Sequence, residues 1–164
     1  MVLCYIGLGS NIGDRAGKIA QAAACLVAGG DVVLRKLSSF YATRPWGYLE
    51  QDDFVNAAAE IETHLGAADL LAAAKRIELG LGRAPRIKWG PREIDIDILF
   101  YGDEILSEGD LTIPHPLVCE RAFVLAPLVE IAPDLVDPRT GIKVSAYLEQ
   151  IEKGGDPSWT SPAT

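Results

Sequence analysis

Between Glu93 and Gly102 the chain alternates with a period of two: Ile94, Ile96 and Ile98 fall on one side of an extended segment, Asp95 and Asp97 on the other. A strand of this kind has one face for a core and one face for water or a ligand, which points to a sheet covered by helices on one side. The α-carbons of the two aspartates stand roughly 6 to 7 Å apart. Two carboxylates held that close repel each other, and a hard divalent cation such as magnesium, shared with phosphate oxygens, relieves the repulsion. Taken alone, an acid pair on a strand more often describes a solvated outer face.

The rest of the chain places this strand in an order. Val2 to Leu8 is an apolar strand ending in Gly7-Leu8-Gly9-Ser10-Asn11, and Asp14 caps an Ala-rich helix from Ala16 to Ala28. A second strand covers Val32 to Leu37, a long loop holds Thr43-Arg-Pro-Trp-Gly-Tyr, and a third strand runs from Phe54 to Glu62. Leu70, Leu71, Ala74, Ile77 and Leu81 recur at helical spacing between Ala67 and Leu81, closed by Gly82. With the acid-pair strand from Ile94 to Tyr101 the order is β-α-β-β-α-β. This predicts an α+β, ferredoxin-like core: an antiparallel sheet, both helices on one face and the other face free for a site. A C-terminal extension follows, with apolar segments near Ile105 and Leu111 and helices at Glu120–Ile131 and near Ala146–Ile151. Residues 1–153 read as one domain and 154–164 as a flexible polar tail.

Charge and cysteine content narrow the function classes. A net charge of −8 and a pI near 4.7 argue against general affinity for nucleic acid or anionic membrane, so neither is expected as a partner. Cys4, Cys25 and Cys119 form no C-x-x-C pair and read as reduced, buried thiols of a cytoplasmic protein. The uncharged stretch from Ile19 to Gly30 is shorter than the ~20 residues a membrane span needs, and no targeting segment is read at the start. A monomer is expected.

The loop before the acid pair changes the weight of that motif. Arg83, Arg86, Lys88 and Arg92 put four of the chain's fifteen Lys and Arg residues immediately ahead of Asp95 and Asp97. A magnesium-bound triphosphate needs both signs, guanidinium forks for its oxygens and carboxylates for its cation, and its transfer is mostly a matter of position and electrostatics. Trp46, Phe54 and Phe123 supply rings, and Asn56 an amide, for a flat heterocycle. His115 lies between two prolines, where a ligand contact and a backbone hydrogen bond are both open; His64 is structural or exposed. No serine or cysteine is paired with a histidine, and the glycine spacing of the first loop does not suit a dinucleotide fold.

Gly9-Ser10-Asn11, Ser38-Ser-Phe-Tyr41, Phe54-x-Asn56-Ala, Gly90-Pro-Arg-x-Ile-Asp-Ile-Asp-Ile98, Pro114-His-Pro116, Glu120-Arg-Ala-Phe123 and Pro127-Leu-x-Glu-Ile-Ala-Pro133 occur in that order. From about Leu3 to Leu148 the chain resembles the hydroxymethyl-dihydropterin pyrophosphokinases of folate synthesis. The resemblance implies transfer of diphosphate from ATP to the hydroxymethyl group of a reduced pterin, releasing AMP, with two magnesium ions held by Asp95 and Asp97. It implies that Thr43, Trp46, Phe54, Asn56 and Phe123 bind the pterin. Leu71, Lys75, Glu78, Trp89, Arg92, Ile98, Thr112, His115 and Arg121 would bind ATP. Arg83, Arg92 and Asp97 are taken as the catalytic set and Trp89 as part of a closing loop; no residue stands out as a dedicated base, and a metal-bound alkoxide path assisted by Asp97 is the hypothesis for loss of the hydroxyl proton. Arg44 stands where the family commonly has proline, and Lys75 where it often has glutamine. Two other readings remain at this point: a ligand-binding regulatory module, and a metal-dependent phosphohydrolase.

Overall fold

The computed structural model describes residues 1–45, 47–85 and 87–155. β1 (Val2–Ser10) sends Cys4, Ile6 and Leu8 into the main core and leaves Tyr5, Gly7 and Gly9 on the opposite face. β4 (Phe54–Thr63) and β5 (Asp95–Tyr101) pair antiparallel with β1 on either side, and β2 (Val32–Leu37) completes the order β2-β4-β1-β5. This is the ferredoxin-like arrangement. α1 (Arg15–Ala28) and α2 (Ala67–Gly80) cover one face, α1 with Ile19, Ala22, Ala23 and Leu26, α2 with Leu70 and Ala74.

Local chemistry sets where the first helix begins. Asp14 Oδ1 accepts the Gly17 N–H at 3.0 Å, a cap worth about 1 kcal/mol. Gly17 is needed beneath it, since a Cβ there would stand 2.1 Å from Asp14 Oδ2. Ile94, Ile96 and Ile98 are all buried against the helices, each contributing roughly 1.5–3 kcal/mol of transfer free energy. Cys25 projects from the outer side of α1 and is exposed, correcting the expectation of three buried thiols; Cys4 is buried and Cys119 half-buried.

Three features differ from expectation. First, β3 (Tyr41–Thr43) pairs with β4, Tyr41 opposite Asn56 and Thr43 opposite Phe54. Second, the face opposite α1 and α2 is not free along its length. A 3-10 turn at Val118–Glu120, α3 (Ala122–Ile131) and α4 (Val144–Gly154) form a second core, in which Leu125 and Leu128 pack with Tyr5, Ala58, Leu99 and Phe100. Third, β5 carries a bulge: Ile6 pairs with Ile98 but Tyr5 with Phe100, so Leu99 is an extra residue. Leu99 and Phe100 both join the second core, where Phe100 meets Tyr5 edge to face with ring centroids 6.4 Å apart.

α3 begins at Ala122, because Arg121 is extended between the 3-10 turn and the helix. The apolar segments near Ile105 and Leu111 form the hairpin β6 (Leu106–Glu108) and β7 (Leu111–Ile113). Among the described residues no helix is long and apolar enough to cross a membrane. The expected flexible tail lies, from residue 156, outside the described residues.

Candidate active site

α3 and α4 leave uncovered the end of the sheet where β1 runs Gly7-Leu8-Gly9. Across three strands, Asn56, Gly9 and Asp95 form one row and Ala58, Gly7 and Asp97 the next. Neighbouring strands lie about 4.8 Å apart, so Asn56 and Asp95 are separated by roughly 10 Å, with only glycine between them. The result is a floor without side chains, flanked by an amide and a carboxylate. Gly9 is specified by this contact, because a Cβ would lie 2.8 Å from Asn56 Oδ1. Asn56 Nδ2 in turn donates to Thr43 Oγ1 at 2.6 Å, tying β4 to the unexpected strand β3.

The cleft above this floor is open to solvent on one side. Thr43, Phe54, Asn56, Trp89, Arg92, Asp95, Asp97, Arg121 and Phe123 line it, with Arg44, Leu99 and Val124 added by the structure. Trp46 and Arg86 lie outside the described residues. The Arg121 guanidinium lies 4.9 Å from the Trp89 ring and 5.6 Å from that of Phe123, close enough for cation–π attraction to both.

At Asp95 the charge is already matched. Arg83 Nη1 is 2.6 Å from Asp95 Oδ1 and 2.7 Å from Glu78 Oε2, while Arg92 Nη1 is 2.5 Å from Asp95 Oδ2. Glu78 is buried on α2 and its Oε1 accepts the Ile96 N–H at 2.7 Å. Burial raises the Glu78 carboxyl above the usual carboxylate range, against the pull of the Ile96 amide and Arg83. Asp97 is pushed up to about 7, first by burial and then by Asp95 and Glu78, with Arg92 and Arg121 pulling the other way.

Of the nine nucleotide candidates, Trp89, Arg92 and Arg121 line this cleft and the other six fall elsewhere. Glu78, Leu71, Ile98, Lys75, Thr112 and His115 do not line the cleft. They follow β5, an edge strand against which α2 and β7 both pack. Ile98 is in the core and Leu71 is half-buried against it, so their contribution to a ligand is not that of cleft-lining side chains. The Ile96 N–H points off the free edge to Glu78, and by the two-residue alternation Ile98 presents its main-chain N–H on the same edge. Lys75 is exposed on α2, and Thr112 Oγ1 sits 3.4 Å from Ser107 Oγ. His115 Nδ1 accepts the Leu117 N–H at 3.1 Å, which puts the proton of the neutral ring on Nε2. Burial, then Arg121, lowers the His115 pKa and favours that neutral form. The His115 N–H donates to the carbonyl of the bulged Leu99 at 2.9 Å.

Two residues escaped sequence reasoning. Asn11 Nδ2 donates to Gln51 Oε1 at 2.9 Å, and Asn11 Oδ1 accepts the Arg92 N–H at 2.8 Å. Gln51 Nε2 donates to the Trp89 carbonyl at 2.7 Å and to that of Tyr48 at 2.6 Å. The pair thereby joins the loop after β1, the loop before β4 and the basic loop at one point. Asn11 lay inside the quoted Gly-Ser-Asn motif, but Gln51 sits in a polar loop that carries no signal of its own. Trp89 has φ +64, and a Cβ on Gly47 would meet its Cγ at 3.0 Å.

Guanidinium and carboxylate groups this close, beside an aromatic slot over a glycine floor, are equipment for moving phosphate onto a flat acceptor. The chain belongs to the 7,8-dihydro-6-hydroxymethylpterin-pyrophosphokinase family, whose model matches residues 5–133. It is 49% identical over 136 residues to a 2-amino-4-hydroxy-6-hydroxymethyldihydropteridine pyrophosphokinase of Methylorubrum extorquens, covering 83% of this chain and 86% of that one. The Bacillus subtilis protein of the same name is 47% identical over 129 residues, covering 79% and 77%. Among solved structures, an HPPK-DHPS chain crystallised with substrates superposes with a TM-score of 0.74 at 14% identity, over 93% of this chain and 44% of that one. A Plasmodium falciparum HPPK-DHPS gives 0.70 at 15% identity over 92% and 44%. These two show the fold alone.

Proposed function

We propose that this chain transfers the terminal diphosphate of ATP to the hydroxymethyl group of 6-hydroxymethyl-7,8-dihydropterin, giving AMP and the pterin diphosphate, in the synthesis of folate. Family membership supports the reaction, and one observation carries its location: the row Asn56–Gly9–Asp95, an amide and a carboxylate roughly 10 Å apart across bare backbone. The slot bounded by Phe54 and Phe123 takes the pterin ring, and Asn56 and Thr43 read its edge. ATP lies along β5, where the Ile98 main chain and His115 Nε2–H are donors, with Glu78 beside them, while Leu71, Lys75, Thr112 and Arg121 complete its surroundings.

The acid pair fits magnesium. Asp95 and Asp97 share one face, and the raised pKa of Asp97 marks a carboxylate short of positive charge. Among the described residues no cluster of three or more His, Cys, Asp or Glu joins them, so phosphate oxygens and water would complete the set of ligands, as is usual for this ion. Two ions held there would supply Lewis-acid neutralisation of the phosphate oxygens.

The protein's own groups do the rest. The pterin hydroxyl oxygen forms a bond to the β-phosphorus as the bond from that phosphorus to the α,β-bridging oxygen breaks, and AMP departs. Arg83 and Arg92 leave Asp95 for the phosphates and balance the charge that develops there. Asp97, on the glycine floor, assists loss of the hydroxyl proton. Trp89 closes over the reacting groups and excludes water.

One assay tests the reading. Protein, magnesium, ATP and hydroxymethyl-dihydropterin are mixed, and AMP and the pterin diphosphate are measured. Both products are expected in equal amounts. Phosphate or diphosphate released without the pterin would identify a hydrolase, and no turnover would identify a binding module.

A further inference from the structure

The far end of α3 is fastened to the segment that leads into β3. Glu130 Oε1 accepts the Ser39 N–H at 2.8 Å and the Ser39 hydroxyl at 3.0 Å, and Glu130 Oε2 accepts the Tyr41 hydroxyl at 2.5 Å. One residue on, Lys36 Nζ donates to the Ile131 carbonyl at 3.0 Å. The last turn of the helix is therefore held from two sides by β2 and the chain after it.

The consequence runs back to the cleft by two routes. Along α3, Phe123 lies seven residues before Glu130, which is two turns, roughly 10 Å, on nearly the same face of the helix. Along β3, Tyr41 is paired with Asn56 and Thr43 with Phe54, and Thr43 Oγ1 holds the Asn56 amide. One wall of the aromatic slot belongs to α3 and the other to β3 and β4. Glu130 connects the two walls.

We infer that Glu130 is a positioning residue for the pterin slot: it fixes the spacing of Phe123 against Phe54, Asn56 and Thr43 without touching the ligand. The inference rests on the proposed assignment of that slot to the pterin. Positions in a flat-ring slot tolerate little displacement, since small shifts of a binding wall remove stacking and edge hydrogen bonds together. Most of the nucleotide candidates, Leu71, Lys75, Glu78, Ile98, Thr112 and His115, follow β5 on the opposite side of β1 from β4 and depend on this clamp much less; of the rest, Arg121 is at the start of α3, nine residues before Glu130.

The test is pterin binding in the presence of a saturating non-hydrolysable ATP analogue, with affinity for the analogue measured separately. Glu130→Ala loses bonds to Ser39 and Tyr41 and is expected to raise the pterin dissociation constant about tenfold, while leaving that of the analogue within about twofold. Glu130→Gln keeps one oxygen for Ser39 and an NH2 for the Tyr41 hydroxyl oxygen, so it is expected to stay within about threefold of the parent. Tyr41→Phe, which removes one bond and no packing volume, is expected to weaken pterin binding by about threefold and to add little on top of Glu130→Ala. Unchanged pterin affinity in Glu130→Ala, parallel loss of both ligands, or a glutamine variant as poor as alanine would each overturn the inference. A parent chain that takes up no pterin overturns the functional reading and the inference with it, whereas parallel losses overturn the inference alone.

Discussion

Arg83 and Asp95 meet at 2.6 Å, so the carboxylate proposed to hold a metal is neutralised by an arginine proposed to hold phosphate. In the proposed reaction the two partners separate, each to its own side of the incoming metal–triphosphate. On the proposed assignment metal and nucleotide are expected to favour each other's binding, because each draws away one partner of this ion pair.

Replacing Arg83 with alanine should uncouple them. Manganese affinity without nucleotide, read by electron paramagnetic resonance, is expected to rise about fivefold, matching the ~1 kcal/mol such a partly exposed pair contributes. ATP affinity should fall in the same protein. Unchanged manganese binding would show that Arg83 does not compete for Asp95.

Asp97 gives a pH signature with a definite sign. Its carboxyl is raised from 3.8 to about 7 in the folded chain. The folded state therefore keeps a proton that the unfolded state gives up, and stability from this site falls as pH rises across that window, then levels above about 7. Asp97→Asn removes the loss. The variant is expected to melt about 3 °C or more above the parent at pH 8, with the difference vanishing near pH 4. Turnover should nevertheless collapse in it while pterin binding persists. A variant that keeps full turnover would remove Asp97 from the mechanism.

The glycine floor is tested by a single methyl group. Gly9→Ala places a Cβ 2.8 Å from Asn56 Oδ1, and overpacking of this kind costs roughly 1–3 kcal/mol. The amide must turn or β4 must shift. Pterin affinity is expected to drop by about tenfold or more, with ATP affinity nearly unchanged.

Gln51→Ala cuts the tie between the basic loop and the loop before β4. Hydrogen exchange at the amides from Trp89 to Arg92 is expected to accelerate, and kcat to fall about tenfold while melting temperature changes little. Exchange as slow as in the parent would mean that Trp89 is held by its contacts with Arg121 and Gly47 instead.

Much of this molecule was legible because it is local. The alternation around Asp95 put both carboxylates on one face, and the Asp14 cap and the leucine spacing of α2 located helices within a residue or two. What was not legible depends on partners far along the chain. β3 has three residues, too few to show a period, and exists because β4 is long enough to pair with β1, β2 and β3. The bulge at Leu99 sits in the run Ile98-Leu-Phe-Tyr101, where every residue is apolar and a phase change leaves no mark. Gln51 meets Trp89 across 38 positions. The aromatic slot and acid pair were named from motifs, but their separation across two glycines required the strand registers.

The extra residue at Leu99 makes β5 two short strands joined out of phase. Upstream, odd-numbered positions face the cleft; downstream, the even-numbered Phe100 does the packing and Tyr101 returns to the main core. Loss of Leu99 would close the bulge with Phe100 still opposite Tyr5 and with Asp95 and Asp97 still in step with Gly9 and Gly7, but it would take the Leu99 side chain from the core beneath α3 and its carbonyl from the His115 N–H. The spacing of the carboxylates and the seating of the C-terminal helices are thus set by different stretches of a single strand, with the bulge as the joint between them.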